Sequence, residues 1–339
     1  MHSKSWKGYS TIAESSDGAS AQTPMDLDHP VPSAEHPAEI RLHEAEERLH
    51  QWEESAKRTA DKVNRRAGRN LGAAIAVALL LVGVAVVCLI WWMWGFALLV
   101  AAGLIGCQFE LTRAVRDHAG ADVPFVPVAV GTAVTLVGSY ATRVLDTPWS
   151  AGTFIMASLS LTIVAVLTTR LTKPVAGYLR DVSAATLLVC YLTILGVSLM
   201  SMAAEDDGTG RILLFILAVA ASDTGGYFAG LLFGKHPMAP TISPKKTWEG
   251  VAGSVIVSCA LGAAVTVWVL GAPAWKGIVI SVVILVCGIL GDLVESVMKR
   301  DLGIKDMGNS IPGHGGFLDR FDSYIVAAPV AWIAMAALL

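Results

Sequence analysis

The sequence predicts an all-α membrane protein with about nine transmembrane helices. Of its 339 residues, 54% are hydrophobic and only 16% are charged, and the mean hydropathy is +0.58. Uncharged runs of about 18 to 22 residues recur along the chain, which is the length of helix that crosses the ~30 Å hydrocarbon layer of a bilayer. These features exclude an ordinary soluble globular domain.

The first 70 residues differ from the rest in composition. Residues 1–36 are rich in Ser, Ala, Asp and Pro and poor in large apolar side chains, so we expect a disordered polar tail. Residues 37–69 contain good helix formers, acidic at first and basic later, and predict a charged cytoplasmic helix with its basic end near lipid headgroups. Residues 70–339 are the predicted transmembrane domain.

Nine apolar runs make up this domain, and each is expected to form one helix. Their approximate bounds are 71–90, 92–109, 123–142, 151–168, 183–202, 212–233, 250–270, 276–292 and 324–339.

Basic residues alternate between the segments that separate these runs. Eighteen Lys and Arg lie in residues 57–69 and in the later segments on the side of the N-terminal tail. Only Arg143, Arg211 and Lys276 lie on the other side. The positive-inside rule therefore predicts a cytoplasmic N-terminus and an outside C-terminus in the cell membrane. We reject an alternative with eight spans, in which the first two runs fuse across residues 90–92, because it places the basic loops outside.

The densest group of ionisable residues lies between the last two runs, in a loop predicted over 293–322 and its edges. Asp292 and Glu295 are three residues apart on a continuing helix and share a face, and Asp319 and Asp322 repeat that spacing before the ninth run. Two such pairs at one loop are suited to Mg²⁺, which favours carboxylates together with phosphate oxygens and water. The alternative is a set of solvated helix-end charges, with Glu295 paired to Lys299.

The sixth run contains an isolated carboxylate. Asp223 lies about ten residues, or ~15 Å, from the cytoplasmic end of the run, where a charge is costly without a partner, a cation or water. Beside it, Ser222, Gly226, Gly230 and Gly234 form a stripe of small residues, which predicts close packing on a neighbouring helix.

Two cytoplasmic loops, 234–249 and 293–322, carry candidate ligands for phosphate. Lysine and arginine pair with phosphate, and backbone N–H groups of a glycine-rich turn can approach its oxygens. The alternatives are headgroup contacts for the lysines and a merely solvated histidine. The candidates are Ser243, Lys245, Lys246, Thr247, Lys299, Arg300, Lys305, His314, Gly315, Gly316 and Arg320.

Residues 296–322 resemble a known signature. The segments SVMKR, KD and IPGHGGFLDRFD, with a glycine at 308, are similar to the signature of phosphatidate cytidylyltransferases (CDP-diacylglycerol synthases). SDTGGYFAG at 222–230 and SPKKTWEG at 243–250 look like two further blocks of that family. The resemblance covers the C-terminal third of the chain, and residues 1–70 fall outside it.

The resemblance implies a membrane enzyme of phospholipid biosynthesis that makes CDP-diacylglycerol and pyrophosphate from CTP and phosphatidate. It implies Mg²⁺ on Asp292, Asp319 and Asp322; we add Asp223 to this metal site, leave a second cation open, and include Lys305 among the catalytic residues. The basic residues are expected to bind phosphates. Which of them bind CTP and which bind the lipid is left open. Expected partners are CTP, phosphatidate and membrane lipids but no nucleic acid, and a homodimer is left open.

Two other functions compete with this interpretation. A CTP-dependent polyprenol kinase shares the membrane setting and the nucleotide, but it needs a base for an alcohol nucleophile, and the complete signature argues against it. An ion or phosphate transporter would account for Asp223, yet transporters place ionisable residues near the midplane and often contain internal repeats. Here most of the charge lies in one loop, and no repeat is evident.

Overall fold

Nine helices and one β-hairpin account for most of the described chain. The computed structural model describes residues 71–240, 242–308, 310 and 315–339. The elements are α1 (Leu71–Trp91), α2 (Met93–Ala119), α3 (Phe125–Val144), α4 (Ala151–Leu171), α5 (Tyr178–Ala203), α6 (Gly208–Phe233), β1 (Pro237–Ala239), β2 (Ser243–Thr247), α7 (Trp248–Trp268), α8 (Ala274–Asp301) and α9 (Leu318–Leu338).

The predicted fold class is confirmed. Among the described residues, the eight helices α2 to α9 are long and apolar enough to cross a membrane, and α1 contains a shorter apolar segment, Val82–Trp91. The chain breaks at Trp92, so the first two runs form separate helices and do not fuse. The predicted tail over 1–36 and the predicted charged helix over 37–69 lie outside the described residues.

Two helices run well beyond the apolar stretches that identified them. The second run was expected to end near residue 109 and the eighth near 292, whereas α2 continues to Ala119 and α8 to Asp301. Each ends next to a glycine with a positive φ angle, Gly120 at 64° and Gly303 at 69°. At α8 the N–H of Ile304 donates to the Lys299 carbonyl over 2.9 Å, which completes a C-terminal cap. The added residues include Glu110 of α2, which reaches the start of α9, and Lys299 of α8, which reaches Asp319.

The helix ends alternate between two sides, as the distribution of basic residues predicted. On the side that carries most of the basic residues, three long-range contacts join different elements: Lys173 to Asp122, the Leu318 N–H to Glu110, and Lys246 to Asp292. On the opposite side, the Thr209 hydroxyl donates to the Leu89 carbonyl over 3.3 Å. There too, Arg143 lies 6.0 Å from the ring centroid of Trp332.

Helix α5 is the central helix of the described fold. It packs against α2, α3, α4, α6 and α9, and its fully buried side chains include Leu192, Leu195 and Met200. At its start, Asp181 forms a buried ion pair of 2.8 Å with Arg170 near the end of α4. The same aspartate accepts the Asp122 N–H from the loop after α2, so one carboxylate joins three elements.

The stripe of small residues on α6 packs closely against α7, as predicted. A Cβ atom built on Gly226 would lie 2.5 Å from the Ser254 hydroxyl, and one on Gly234 would lie 3.0 Å from the Thr247 hydroxyl. The Ser254 hydroxyl also donates to the Ser222 carbonyl over 2.6 Å. Small side chains thus allow the two backbones to approach and to bond across the interface.

A short β-hairpin between α6 and α7 was not predicted, and it leaves the all-α fold class unchanged. Strands β1 and β2 pair antiparallel, with Pro237 opposite Thr247. Glu249 holds the hairpin at its base, because its carboxylate accepts the N–H groups of Lys235 and His236 over 3.1 and 3.2 Å. Sequence patterns did not indicate these strands, because the second is only SPKKT and has no apolar alternation.

Candidate active site

Three carboxylates converge where α8 crosses α9. Asp292, Glu295 and Asp322 each offer an oxygen, and these oxygens lie within 4.8 Å of one another. The helices approach closely at Gly291, where a Cβ atom would lie 2.5 Å from the Asp322 carbonyl oxygen. Glu295 is fully buried. We call Asp292, Glu295 and Asp322 the carboxylate cluster.

Lys299 lies between two buried carboxylates. Its ammonium group pairs with Glu295 one helical turn earlier and with Asp319 at 3.1 Å, and its side chain is only 15% exposed. The i, i+4 pair expected on the solvated interpretation therefore forms, but in a buried setting. Removing both charges of a buried ion pair from water costs free energy that their attraction often does not repay. The pair is therefore poorly explained by a contribution to stability alone.

Asp319 lies outside the carboxylate cluster and bonds to the loop between α8 and α9, residues 302–317, which we call the signature loop. Its side chain accepts the N–H of Met307 at 3.2 Å and the N–H of Gly316 at 3.1 Å, in addition to pairing with Lys299. All these partners come from α8 or from the loop between α8 and α9. A direct metal role for Asp319 stays a prediction.

The hairpin brings a second lysine ammonium group, that of Lys246, to the carboxylate cluster. Lys246 pairs with Asp292, and both side chains are partly buried. Lys245, its neighbour, is exposed, and Ser243 is half-buried. The Thr247 hydroxyl accepts the Gly250 N–H over 3.2 Å and caps the start of α7. Of the four candidates on this segment, Lys246 therefore makes the contact with the carboxylates.

Asp223 lies on the α6 face near the cluster. It interacts electrostatically with Asp292, Asp322 and Lys246, and its side chain is exposed on the helix surface. The predicted proximity to the carboxylates is therefore present. Asp223 is not one of the three carboxylates whose oxygens lie within 4.8 Å of one another. Its role as a metal ligand therefore stays a prediction.

The remaining predicted phosphate ligands surround the loop between α8 and α9. Arg300, Lys305 and Arg320 are exposed. Gly315 has a φ angle of 82°, a conformation that favours glycine, and Gly316 donates its N–H to Asp319. His314 lies outside the described residues, so its predicted role is not addressed.

Two further side chains reach this region and were not predicted. Glu110, 3% exposed, extends from α2 to the start of α9. Tyr191 on α5 has a buried hydroxyl without a hydrogen-bond partner among the described residues, and it interacts electrostatically with Glu295 and Asp322. Glu110 directly follows the predicted second apolar run, and the sequence analysis gave it no role. For Tyr191 we find no sequence signal, since one tyrosine in an apolar run is ordinary.

Comparison with known proteins identifies relatives for almost the whole described chain. The sequence model of the cytidylyltransferase family matches residues 72–338. A phosphatidate cytidylyltransferase of Mycobacterium leprae is 37% identical over 293 residues, which cover 82% of this chain and 91% of that protein. A phosphatidate cytidylyltransferase of Mycobacterium bovis is 36% identical and covers 83% and 93%. A shorter match, to a phosphatidate cytidylyltransferase of Staphylococcus saprophyticus, is 42% identical over 127 residues, or 37% of this chain and 49% of that protein.

Proposed function

We propose a function from one premise: the chain belongs to the cytidylyltransferase family. It acts as a phosphatidate cytidylyltransferase, which joins CTP and phosphatidate to form CDP-diacylglycerol and pyrophosphate in the membrane. The similarity to the two mycobacterial enzymes extends over more than four fifths of the chain and more than nine tenths of each relative. The family model matches residues 72–338, which include α2 to α9 and every described candidate site residue.

One structural observation carries the proposal. Three segments that are distant in sequence meet at one end of the helices, where Lys246 of the hairpin pairs with Asp292 of α8, and Lys299 of α8 pairs with Asp319 of α9. Anionic and cationic side chains are thereby interleaved in a single region. A triphosphate with divalent cations requires this combination, because carboxylates hold the cation and ammonium groups hold the phosphate oxygens.

The carboxylate cluster fits Mg²⁺. Its three oxygen donors from Asp292, Glu295 and Asp322 are close enough to share one ion, and hard divalent cations prefer carboxylate oxygens. We therefore propose that these residues hold the metal and that Asp223 and Asp319 support the site from α6 and from the loop. Bound Mg²⁺ would supply charge neutralisation at the phosphates of the nucleotide.

The reaction requires alignment and charge neutralisation more than an activated nucleophile. An oxygen of the phosphatidate phosphate, already ionised at neutral pH, forms a bond to the α-phosphorus of CTP. The bond between that phosphorus and the bridging oxygen to the β-phosphate breaks, and pyrophosphate leaves with the electron pair. We assign Lys246 and Lys299 to the phosphate oxygens at the cluster, and the exposed Lys245, Arg300, Lys305 and Arg320 to the approach of CTP and the lipid headgroup.

We also propose that this site faces the cytoplasm, where CTP is available. The proposal is supported by the excess of Lys and Arg on the side of the helices that carries the hairpin and the signature loop.

The direct test supplies purified protein with Mg²⁺, CTP labelled at the α-phosphate, and either phosphatidate or a polyprenol. We expect pyrophosphate release and a labelled lipid with phosphatidate, and no reaction with the polyprenol. Release of CDP with phosphorylation of the polyprenol would instead support the kinase. The matched control is the Asp292→Asn variant, purified in the same detergent, which we expect to release no pyrophosphate.

A further inference from the structure

Glu110 is a buried carboxylate that the reaction described above does not use. It lies on α2 and is 3% exposed. Its Oε2 atom accepts the backbone N–H of Leu318 at 3.1 Å, across a separation of 208 residues. Leu318 is the first residue of α9, and Asp319 and Asp322 lie in the first two turns of that helix.

This contact supplies the cap that α9 lacks. The first N–H groups of a helix have no partner within the helix, and a neighbouring side chain usually accepts one of them. At α9 the preceding residue is Phe317, which makes no such side-chain bond. Glu110 from another helix provides the acceptor, and its negative charge is favourable beside the positive end of the helix dipole.

The signature loop is shaped around the same carboxylate. A Cβ atom on Gly308 would lie 2.7 Å from Cδ of Glu110, and one on Gly316 would lie 2.5 Å from its Oε2. The same atom on Gly316 would lie 3.0 Å from Oδ2 of Asp319. Two glycines of the loop therefore leave space for Glu110, and the second lies between Glu110 and Asp319.

We propose that Glu110 is a positioning residue for the candidate active site. By holding the start of α9 and the adjacent glycines against α2, it sets where Asp322 meets Asp292 and Glu295 and where Asp319 meets Lys299. It touches neither substrate nor metal. The proposal rests on the proposed function, since the consequence of positioning is measured as cytidylyl transfer.

The test compares Glu110→Ala with Glu110→Gln, which keeps an acceptor for the Leu318 N–H. We expect Glu110→Ala to lower kcat by about tenfold or more and to raise the Mg²⁺ concentration at half-maximal rate, because the carboxylates on α9 lose their register. The KM for CTP should change by less than about twofold, because the cations nearest the cluster lie on the hairpin and α8. Glu110→Gln should restore kcat to within about threefold of the unmodified protein.

The control is Asp117→Asn, an exposed carboxylate on the same helix that pairs with Arg113, and it should behave as the unmodified protein. An unchanged kcat and Mg²⁺ dependence in folded Glu110→Ala overturns the proposal. Equal loss in the Ala and Gln variants also overturns it, because the hydrogen bond to α9 would then be irrelevant.

A second experiment keeps the proposal testable if Glu110→Ala does not fold. Gly308→Ala adds a methyl group whose nearest neighbours are all atoms of the Glu110 side chain, and Gly308 has no positive φ angle that would itself disfavour alanine. We expect it to lower kcat in the unmodified protein but to have little further effect in the Glu110→Asp background, where the shorter side chain withdraws from the loop. Gly152→Ala, which has no atom within 4 Å of its Cβ, is the control. Additive effects of the two changes would overturn the proposal.

Hydrogen exchange separates this inference from the proposed function. If Glu110 caps α9, the amides of residues 315–319 should exchange faster in Glu110→Ala than in Asp117→Asn, whatever reaction the protein catalyses. If exchange is faster in Glu110→Ala but the unmodified protein has no cytidylyltransferase activity, the proposed function is rejected and the cap is supported. Unchanged exchange in an active protein would reject the cap alone.

Discussion

Lys299 shows at the residue scale how this site differs from a solvated helix end. Its ammonium group, with a side chain only 15% exposed, lies between Glu295 and Asp319. Removing one member of such a buried set leaves an uncompensated charge, which typically costs ~3–5 kcal/mol. Proteins tolerate that cost at functional sites, where a substrate anion can take over one of the partners.

The carboxylate cluster leads to a prediction for Asp292 and Asp322. Asp292→Asn and Asp322→Asn should each remove nearly all turnover while leaving the protein folded, because a neutral amide replaces a charged cation ligand at the edge of the cluster. The loss should be in kcat, measured as pyrophosphate release. Asp301→Asn, an exposed change at the end of α8, is the control. If a folded variant keeps more than about a tenth of the turnover, equivalent to less than ~1.4 kcal/mol of barrier, that residue is not a direct metal ligand.

A second prediction concerns the lysines of the hairpin. Lys246→Ala should raise the KM for CTP more than the KM for phosphatidate, because the ammonium group lies beside Asp292, where the triphosphate is proposed to bind. Lys245→Ala should change the KM for CTP in the same direction but less, since that side chain is exposed, whereas Lys246 pairs with Asp292. Steady-state kinetics with both substrates measures this, with Lys235→Ala as the control. A change confined to phosphatidate would assign the hairpin to the lipid.

At the scale of elements, two pairs of closely packed helices place the site. Helix α8 meets α9 at Gly291, and α6 meets α7 along a stripe of small residues. In each pair, glycine removes the side chain that would keep the backbones apart. The first contact brings Asp292 to Asp322, and the second sets the hairpin, and hence Lys246, relative to α6.

The α6–α7 interface yields a stability prediction. A Cβ atom on Gly253 would lie 2.2 Å from that of Ala229 and 2.7 Å from the Gly225 carbonyl oxygen, so Gly253→Ala should force the helices apart. We expect a loss of about 1–3 kcal/mol, the usual cost of overpacking, seen as a lower thermal midpoint in detergent. Gly152→Ala, where nothing lies within 4 Å, should not lower the midpoint, because alanine is the better helix former. Equal midpoints for the two variants would contradict close packing at this interface.

The whole molecule is arranged so that its basic side carries the site. Contacts from Asp122 to Lys173, and from Lys246 to Asp292, lie at one end of the helices, whereas the contact from Arg143 to Trp332 lies at the other. On the proposed function, CTP binds at the carboxylate cluster. The proposal therefore requires that the side carrying the hairpin and the loop between α8 and α9 face the compartment that contains CTP.

The orientation can be tested with single cysteines in a protein whose five native cysteines are replaced. Asp206→Cys lies between α5 and α6, Pro240→Cys in the hairpin and Ser310→Cys in the signature loop. An impermeant thiol reagent applied to intact cells should label position 206 alone, and all three positions should react after permeabilisation. Labelling at 310 in intact cells would place the signature loop outside and contradict the proposed mechanism.

Most of the helical architecture and much of the chemistry are already contained in the linear sequence. Apolar runs of membrane-spanning length predict helices because backbone groups in lipid must bond within their own segment. The alternation of Lys and Arg predicts which helix ends lie together, and the density of charge from 291 to 323 predicts a reaction site there. These are local properties, so neighbouring residues suffice to show them.

Only the tertiary structure decides how the charges are paired. It places Glu295 in the carboxylate cluster, gives Asp319 to Lys299 and the loop, and brings Glu110 across 208 residues to cap α9. It also forms a hairpin from SPKKT, which has little intrinsic strand pattern. These outcomes depend on contacts between distant segments and on the cost of burying a charge without a partner, and no local pattern of residues carries that information.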